Sequence, residues 1–253
     1  MSLDLAGIQN ENEFYSTHYL QELLGEKLSE KYAEWAEEAG EERAPDKALG
    51  GLSGAYFQER SKLMEEGSRS SRHRLQRELL KPILETLGYE MSPMLKKLQD
   101  GRWLPVLAQV EGTDGTPEVC VVEAPPAEGE EAPDLLEQSL IPVHFEGLRP
   151  EHAGPNDALA QQEITEDRPL QDSLGKVITK GLFGLEDPPR YVIVVNESQI
   201  ALLQRSKWQQ RRLLRFDLTE ILTRKDPGAL KATASLLHRE TTSPAEAFSM
   251  MEQ

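Results

Sequence analysis

One carboxylate stands at the end of an apolar run, where a metal-dependent hydrolase would place a ligand. The segment Glu118–Pro126 reads EVCVVEAPP, so a valine-rich strand ends at Glu123. Phosphodiester hydrolysis at such a site needs two or three carboxylates to hold Mg²⁺ and a lysine to orient the attacking water. Glu78 or Glu85 in an earlier helical segment and Asp114 in a turn offer further carboxylates. We take Glu85, Asp114 and Glu123 as candidate catalytic residues, with Asp114 and Glu123 as candidate metal ligands.

The position expected to carry the lysine holds a proline. Pro125 lies two residues after Glu123, and the candidates for a relocated lysine are Lys176 and Lys180 on the following helix. Proline also ends a strand, because it cannot donate to the sheet ladder. The residues therefore leave open an active Mg²⁺-dependent nuclease, an inactive nuclease-like scaffold and an unrelated interaction domain.

Two basic runs could contact nucleic acid. In the run QRSKWQQRRLLR, an aromatic side chain lies among cations that can neutralise phosphates. The candidate nucleic-acid-binding residues of this run are Arg205, Lys207, Trp208, Arg211 and Arg212. The alternative interpretation is a turn and strand whose cations offset acidic segments elsewhere. A second run, RSSRHR at 69–74, is a weaker candidate or simply the start of a helix.

Composition limits the class of protein. The chain has 253 residues, 38% hydrophobic and 28% charged, which is ordinary for a soluble protein. It contains no apolar run of about 18 residues and no secretory signal, so we expect a cytoplasmic protein without a membrane partner. The formal net charge of -16 argues against coating nucleic acid through bulk electrostatics. The single cysteine, Cys120, excludes a disulfide framework and a cysteine metal cluster.

The first third of the chain predicts helices. Aromatic and leucine residues recur at helical spacing over 10–40, with Asn10 or Asn12 as the cap and Gly40 as the end. A Gly-rich connector is expected over 44–54. A second apolar face precedes Gly88, and Pro82 within it predicts a kink or the start of another helix.

Beyond Gly88 the pattern is typical of strands. WLPVLAQVEG and EVCVVEAPP flank a hairpin signal at Asp114-Gly115. An acidic loop over 125–142 precedes a helix with Leu174, Val177, Ile178 and Leu182 on its apolar face. RYVIVVNESQIALLQR then predicts two strands, the first apolar enough to be central.

These elements predict an α/β fold with a mixed sheet, preceded by an N-terminal helical hairpin. Their order resembles that of nucleases of the restriction-enzyme type, which implies a restriction-endonuclease-like core. We divide the chain into a helical segment over 1–66, a nuclease-like domain over 67–243, and the start of a truncated downstream region over 244–253. We expect the chain to be part of a longer protein.

Several stretches carry a resemblance to a known family. They are NENEFYSTHYLQELL, LLKPILETLGYE, the long run ITKGLFGLEDPPRYVIVVNESQIALLQRSKWQQRRLLRFDLTEIL, and LKATASLLHRE. Together they resemble the N-terminal region of large bacterial type II-like restriction-modification adenine methylases, with relatives in the BREX and DISARM phage-defence systems. The resemblance covers most of the chain and rests on overall pattern.

The resemblance implies a partner domain and a nucleic-acid substrate. In that family this region precedes a methyltransferase domain that uses S-adenosylmethionine and carries an Asn-Pro-Pro-Tyr type motif, which this sequence lacks. We therefore expect a DNA-engaging or assembly module without methylase activity, with double-stranded DNA, a downstream methyltransferase domain or defence-system subunits as partners. The alternatives are a Mg²⁺-dependent endonuclease domain, which would need Mg²⁺ as its only cofactor, and an acidic protein-interaction adaptor.

Overall fold

A computed structural model describes residues 6–16, 24–40, 44–127, 133–140, 146–151 and 172–243. The strands are β1 Ile8–Glu11, β2 Met94–Lys97, β3 Trp103–Glu111, β4 Pro117–Glu123, β5 Tyr191–Val195, β6 Gln199–Gln204 and β7 Leu213–Asp217. The helices are α1 Leu24–Ala39, α2 Pro45–Gly51, α3 Ser53–Glu65, α4 Arg69–Thr86, α5 Leu174–Val177, α6 Arg205–Trp208, α7 Leu218–Arg224, α8 Pro227–Leu237 and α9 Arg239–Thr242. A π-helical turn, Ile178–Leu182, continues α5.

The strands form one mixed sheet, as the α/β prediction requires. Its seven strands lie in the order β1-β7-β6-β5-β4-β3-β2, and β5 is therefore central. Among the strands of the described residues, only β4 and β5 pair in parallel, with Glu123 opposite Val195 at their carboxyl ends. The other neighbouring pairs are antiparallel. This single parallel pair brings the ends of β4 and β5 to the same edge of the sheet.

Helices cover both faces of the sheet. Alternate residues of β4 divide between two cores, because successive side chains of a strand point to opposite faces. Val121 packs in the core that includes Leu80 and Ile83 of α4, whereas Val122 packs in the core that includes Val177 of α5. Glu123, two residues after Val121, therefore belongs to the face covered by α4. The fully apolar sequence of β5 follows from burial on both sides.

Of the helix expected over 10–40, the described part is α1, Leu24–Ala39. The chain first forms β1 and a turn, in which Asn12 and Glu13 have φ values of 51° and 57°. Phe14 and Tyr15 then bury their rings against the main core, 4.8 Å apart, instead of lying on a helix. Neither asparagine therefore caps the helix. Its expected end is confirmed, since α1 stops before Gly40, whose φ is +86°.

Among the described residues of 1–66, a strand of the sheet accompanies the helices. β1 pairs with β7 and so completes one edge of the sheet. The predicted connector over 44–54 is helical, and Gly50 allows α2 to approach α8, because a Cβ there would lie 3.0 Å from Leu230 Cδ1. Helix propensity argues against a glycine at position 50, but the close approach of α8 favours it there.

The helix before Gly88 is confirmed, and it continues through Pro82. α4 begins after Ser68, whose hydroxyl accepts from Ser71 N, and it ends near Gly88 with φ +80°. Thr86 Oγ1 donates to the carbonyl of Pro82 at 2.8 Å, and no second helix starts there. α4 is thus one rigid element lying against the sheet.

The later elements match their predictions closely. The hairpin β3–β4 turns through Asp114-Gly115, and β5 and β6 flank the turn 196–198. Asp226 caps α8 by accepting from the backbone N–H of Gly228 and Ala229. Parts of the acidic loop, residues 128–132 and 141–142, and the proposed downstream region 244–253 lie outside the described residues.

Candidate functional site

A buried polar cluster lies where β4 and β5 end. Its centre is Glu123, which is 1% exposed. Ligands of open α/β sheets generally bind beyond the carboxyl ends of parallel strands, which makes this end of the sheet the first place to examine for a functional site. We call the group formed by His73, Gln76 and Arg77 of α4 with Glu123 and Glu197 the strand-end cluster.

Three side chains of α4 surround the carboxylate of Glu123. Gln76 Nε2 donates to Oε1 at 3.1 Å, and Arg77 Nε donates to Oε2 at 2.8 Å. His73 Nδ1 lies 3.6 Å from Oε1. Residues three and four apart share one side of a helix, which explains why all three reach the same acid.

Gln76 joins the ends of both parallel strands. Its amide nitrogen also donates to the Ala124 carbonyl at 2.9 Å, while its Oε1 accepts from the backbone N–H of Glu197 at 3.2 Å. Both functional atoms of this fully buried amide are therefore paired. The arrangement fixes the register of α4 against β4 and the β5–β6 turn.

Glu197 is a second buried acid in the cluster. Its two carboxylate oxygens accept from the backbone N–H of Ala127, at 3.1 and 3.2 Å. Burial raises the pKa of Glu197, and the nearby guanidinium groups of Arg60 and Arg72 partly oppose this rise. The hydroxyl of Tyr56 donates to the Glu197 carbonyl at 2.7 Å.

The structure does not bring the candidate catalytic carboxylates together. Asp114 lies at the start of β4 and Glu123 at its end, about 20 Å apart at about 3.3 Å per residue over the strand's seven residues. Glu85 lies eight residues beyond Arg77, about 12 Å along the helix. Its side chain is exposed, with Lys81 3.8 Å away. Glu78 is also exposed, and Arg74 donates to it at 2.9 Å.

Asp114 has a local role in its turn. Its Oδ1 accepts from the hydroxyl and the backbone N–H of Thr116, at 2.6 and 3.0 Å, which lowers the pKa of the exposed Asp114. The side chain therefore stabilises the hairpin. Asp114 and Glu123 cannot ligate one metal ion at this separation.

The chemistry of the strand-end cluster differs from that of a metal site. Within the described residues, no group of three or more His, Cys, Asp or Glu side chains could hold a metal ion. Both oxygens of Glu123 already accept hydrogen bonds, one of them from a guanidinium. Lys176 and Lys180 lie on α5 and its π-helical turn, across the sheet from Glu123, so neither replaces the lysine missing at Pro125. The cluster is an internal ion pair with an amide bridge.

The basic run at 205–212 is largely engaged in folding. Trp208 is buried, and its Nε1 donates to Thr179 Oγ1 at 2.7 Å. Lys207 Nζ donates to the Phe14 carbonyl at 3.0 Å and lies 4.5 Å from the ring centroid of Phe14. Burial lowers the pKa of Lys207, and the neighbouring cation Arg212 lowers it further.

Exposed cations of the same run remain on the surface. Arg205 and Arg211 are exposed, whereas Arg212 is half-buried. Arg205 Nη1 donates to the Pro188 carbonyl at 3.1 Å, and Arg211 lies 5.5 Å from the Trp208 ring. A contact between this run and a nucleic acid would therefore use arginines and phosphates, without base stacking on Trp208.

Sequence reasoning missed the partners of Glu123. His73, Gln76, Leu80 and Ile83 recur at intervals of three and four, so two polar residues occupy the buried side of α4. Polar side chains at core positions of a helix require partners, which was the available signal. Glu197 gave no such signal, because a turn between two strands normally lies on the surface.

Within the described residues, no helix has the length and apolar character needed to cross a membrane. Comparison of the chain with protein-family models, curated proteins and solved structures found no match.

Proposed function

We propose that this chain is a non-hydrolytic module of a bacterial restriction-modification or phage-defence DNA methylase. It has a restriction-endonuclease-like core. It works in the cytoplasm, where it engages double-stranded DNA and positions the other parts of the parent assembly on it. The observation that carries the proposal is that Arg77 neutralises the charge of Glu123 and Gln76 donates a hydrogen bond to it. Methylation would belong to a domain outside this chain that uses S-adenosylmethionine.

The order of elements supports a nuclease-like origin. α4, the hairpin β3–β4, α5 and the pair β5–β6 follow one another as helix, hairpin, helix and strand pair. The last residue of β4 is a carboxylate facing the first helix of this series. A guanidinium, which cannot be deprotonated in proteins, lies against that carboxylate and supplies the positive charge that a metal ion would contribute in an active enzyme.

Surface charge supports a restricted mode of DNA contact. With a net charge of -16, the chain repels DNA over most of its surface, so binding depends on a local cationic patch. Arg205 and Arg211 form the exposed side of the β6–β7 connection, beside the half-buried Arg212. Contacts to phosphates position a protein on DNA and carry no direct sequence information.

The test separates cleavage from binding. The purified chain and its Glu123→Gln variant are incubated with supercoiled plasmid and Mg²⁺ or Mn²⁺, and a gel shift is run in chelator at increasing salt. We expect no cleavage by either protein and a metal-independent shift that weakens steeply with salt. An Arg205→Ala/Arg211→Ala variant should bind more weakly, whereas Lys62→Ala, which removes an exposed cation on α3, serves as the control.

Two outcomes would overturn this proposal. Metal-dependent cleavage that disappears in Glu123→Gln would establish the nuclease alternative. Neither cleavage nor a gel shift would favour an acidic protein-interaction adaptor, the alternative that the net charge of -16 supports.

A further inference from the structure

A cavity lies at the opposite end of the sheet from the strand-end cluster. It has a volume of about 530 Å³ and is formed where β4 and β5 begin and β6 ends. Its lining includes Glu118, the loop 186–188, Arg190 and Gln204. This volume lies within the usual range for small-ligand sites. Of the residues assigned to DNA contact above, Arg205 also lines this cavity.

Gln204 is the residue of the cavity whose hydrogen bonding is incomplete. It is the last residue of β6 and is only 7% exposed. Within the described part of the chain, its buried Oε1 has no hydrogen-bond donor. A buried acceptor without a donor destabilises the protein, so a ligand that donates a hydrogen bond to this oxygen gains affinity from that contact.

The charges around the cavity favour a cation as that donor. Glu186 and Asp187 are exposed on the loop before β5, and neither has an ion pair among the described residues. The lining also holds Arg190 and Arg205, so its three acids, Glu118, Glu186 and Asp187, against two arginines leave one net negative charge. Arg190 Nη1 lies 3.9 Å from Glu118 Oε2, and Arg205 donates to the Pro188 carbonyl. The acceptors that remain are two carboxylates and one buried amide oxygen.

We propose that this cavity binds a guanidinium group. Guanidinium presents five N–H donors in a planar fork, so one group can donate to Gln204 and also pair with an acid of the loop. An ammonium group concentrates its donors on one atom and matches such separated acceptors less well. The source is either a small guanidinium compound or an arginine side chain of a partner polypeptide.

The test uses three probes and calorimetry. The probes are agmatine, the blocked peptide acetyl-Gly-Arg-Gly-amide and its lysine counterpart. We expect the arginine peptide to bind at least about fivefold more tightly than the lysine peptide. If agmatine binds as tightly as the arginine peptide, the cavity is a small-molecule site. If only the arginine peptide binds, the partner is a polypeptide.

Variants locate the binding within this cavity. Glu186→Gln/Asp187→Asn changes exposed residues, and it should weaken binding of the tighter probe at least about threefold, more at low salt. Gln204→Leu should weaken binding without changing its dependence on salt. In the wild type, the side-chain amide NMR resonances of Gln204 should shift when the tighter probe is added. Glu38→Gln, an exposed acid on α1, is the charge-matched control.

Three results would overturn the inference. They are the absence of binding by every probe, equal binding of the lysine and arginine peptides, and affinity unchanged in both cavity variants. Circular dichroism checks whether Gln204→Leu is folded. If it is unfolded, the Glu186→Gln/Asp187→Asn variant alone tests whether the probe binds in this cavity.

Discussion

At the scale of single residues, Glu123 shows how its surroundings determine the role of a carboxylate. A strand-terminal acid would be a metal ligand if other carboxylates faced it, but here the facing groups are an amide and a guanidinium. Removing one partner of a buried ion pair leaves an uncompensated charge, whereas removing both can be nearly neutral. This asymmetry gives a direct test of the cluster.

We expect Arg77→Met to lower the free energy of unfolding by about 3 kcal/mol or more, because Glu123 loses its charge partner at a buried position. The double variant Arg77→Met/Glu123→Gln should recover part of this loss. Urea denaturation measures both. Arg74→Met is the matched control, since its pair with Glu78 is exposed on the same helix and should cost less than about 1 kcal/mol. Equal losses in the two single variants would contradict the role given to Arg77.

Glu197 gives a prediction about pH. Its pKa is raised above the ordinary value of 4.5 by burial, so the folded protein retains a proton that the unfolded chain releases. The associated stability is present at pH values below about 4.5 and is lost as the pH rises through the folded pKa. Glu197→Gln should therefore make the free energy of unfolding depend less on pH above that value. Parallel titrations of the wild type, this variant and the exposed-site control Glu90→Gln would show the difference, and identical pH profiles for all three would refute it.

At the scale of elements, the connection between β6 and β7 combines a buried and an exposed side. α6 places Trp208 in the core between the sheet and α5, and Lys207 against the Phe14 and Tyr15 rings. The same connection leaves Arg205 and Arg211 in solvent. Residues that look like one basic-aromatic motif in sequence therefore divide into packing and surface groups.

We expect Trp208→Ala to destabilise the protein by about 3–5 kcal/mol, the usual cost of emptying a large aromatic site in a core. Arg211→Asn removes an exposed charge and retains a residue that tolerates the left-handed backbone at φ 55°, so it should change stability by less than about 0.5 kcal/mol. Thermal and urea unfolding compare the two. A small effect of Trp208→Ala would mean that this side chain is available for a ligand.

At the scale of the whole molecule, the N-terminal segment and the sheet share one core. Ile8, Phe14, Tyr15, Leu49 and Tyr56 belong to the same hydrophobic cluster as the helix α4 and the strands β5–β7. β1 also covers the backbone edge of β7, and an uncovered edge strand invites aggregation. The proposed boundary between residues 66 and 67 thus crosses a continuous core.

We therefore expect the fragment 67–253 to be much less stable than the full chain and to associate through β7. Size-exclusion chromatography and urea denaturation of the fragment measure both effects. Adding the separate fragment 1–66 should restore part of the stability if the missing core is the cause. A monomeric fragment with the unfolding midpoint of the full chain would instead support two independent domains.

The sequence by itself determined the elements whose signals are local. The hairpin at Asp114-Gly115, the central apolar strand β5, the Asp226 cap and the Gly88 end of α4 each depend on a few neighbouring residues, and all were predictable. The α/β class followed from their order. The restriction-endonuclease-like core, the parent methylase and DNA engagement remain proposals that rest on pattern.

Only the tertiary structure decided where the Glu123 carboxylate points and which side chains contact it. Phe14 and Tyr15 had helical spacing, but the core available beside the sheet outweighed that local preference. Glu123 acquired its partners because β4 packs under α4, which brings Gln76 and Arg77, 47 and 46 residues away in the chain, against its carboxylate. Such pairings depend on burial between distant segments, and no local rule of spacing contains them.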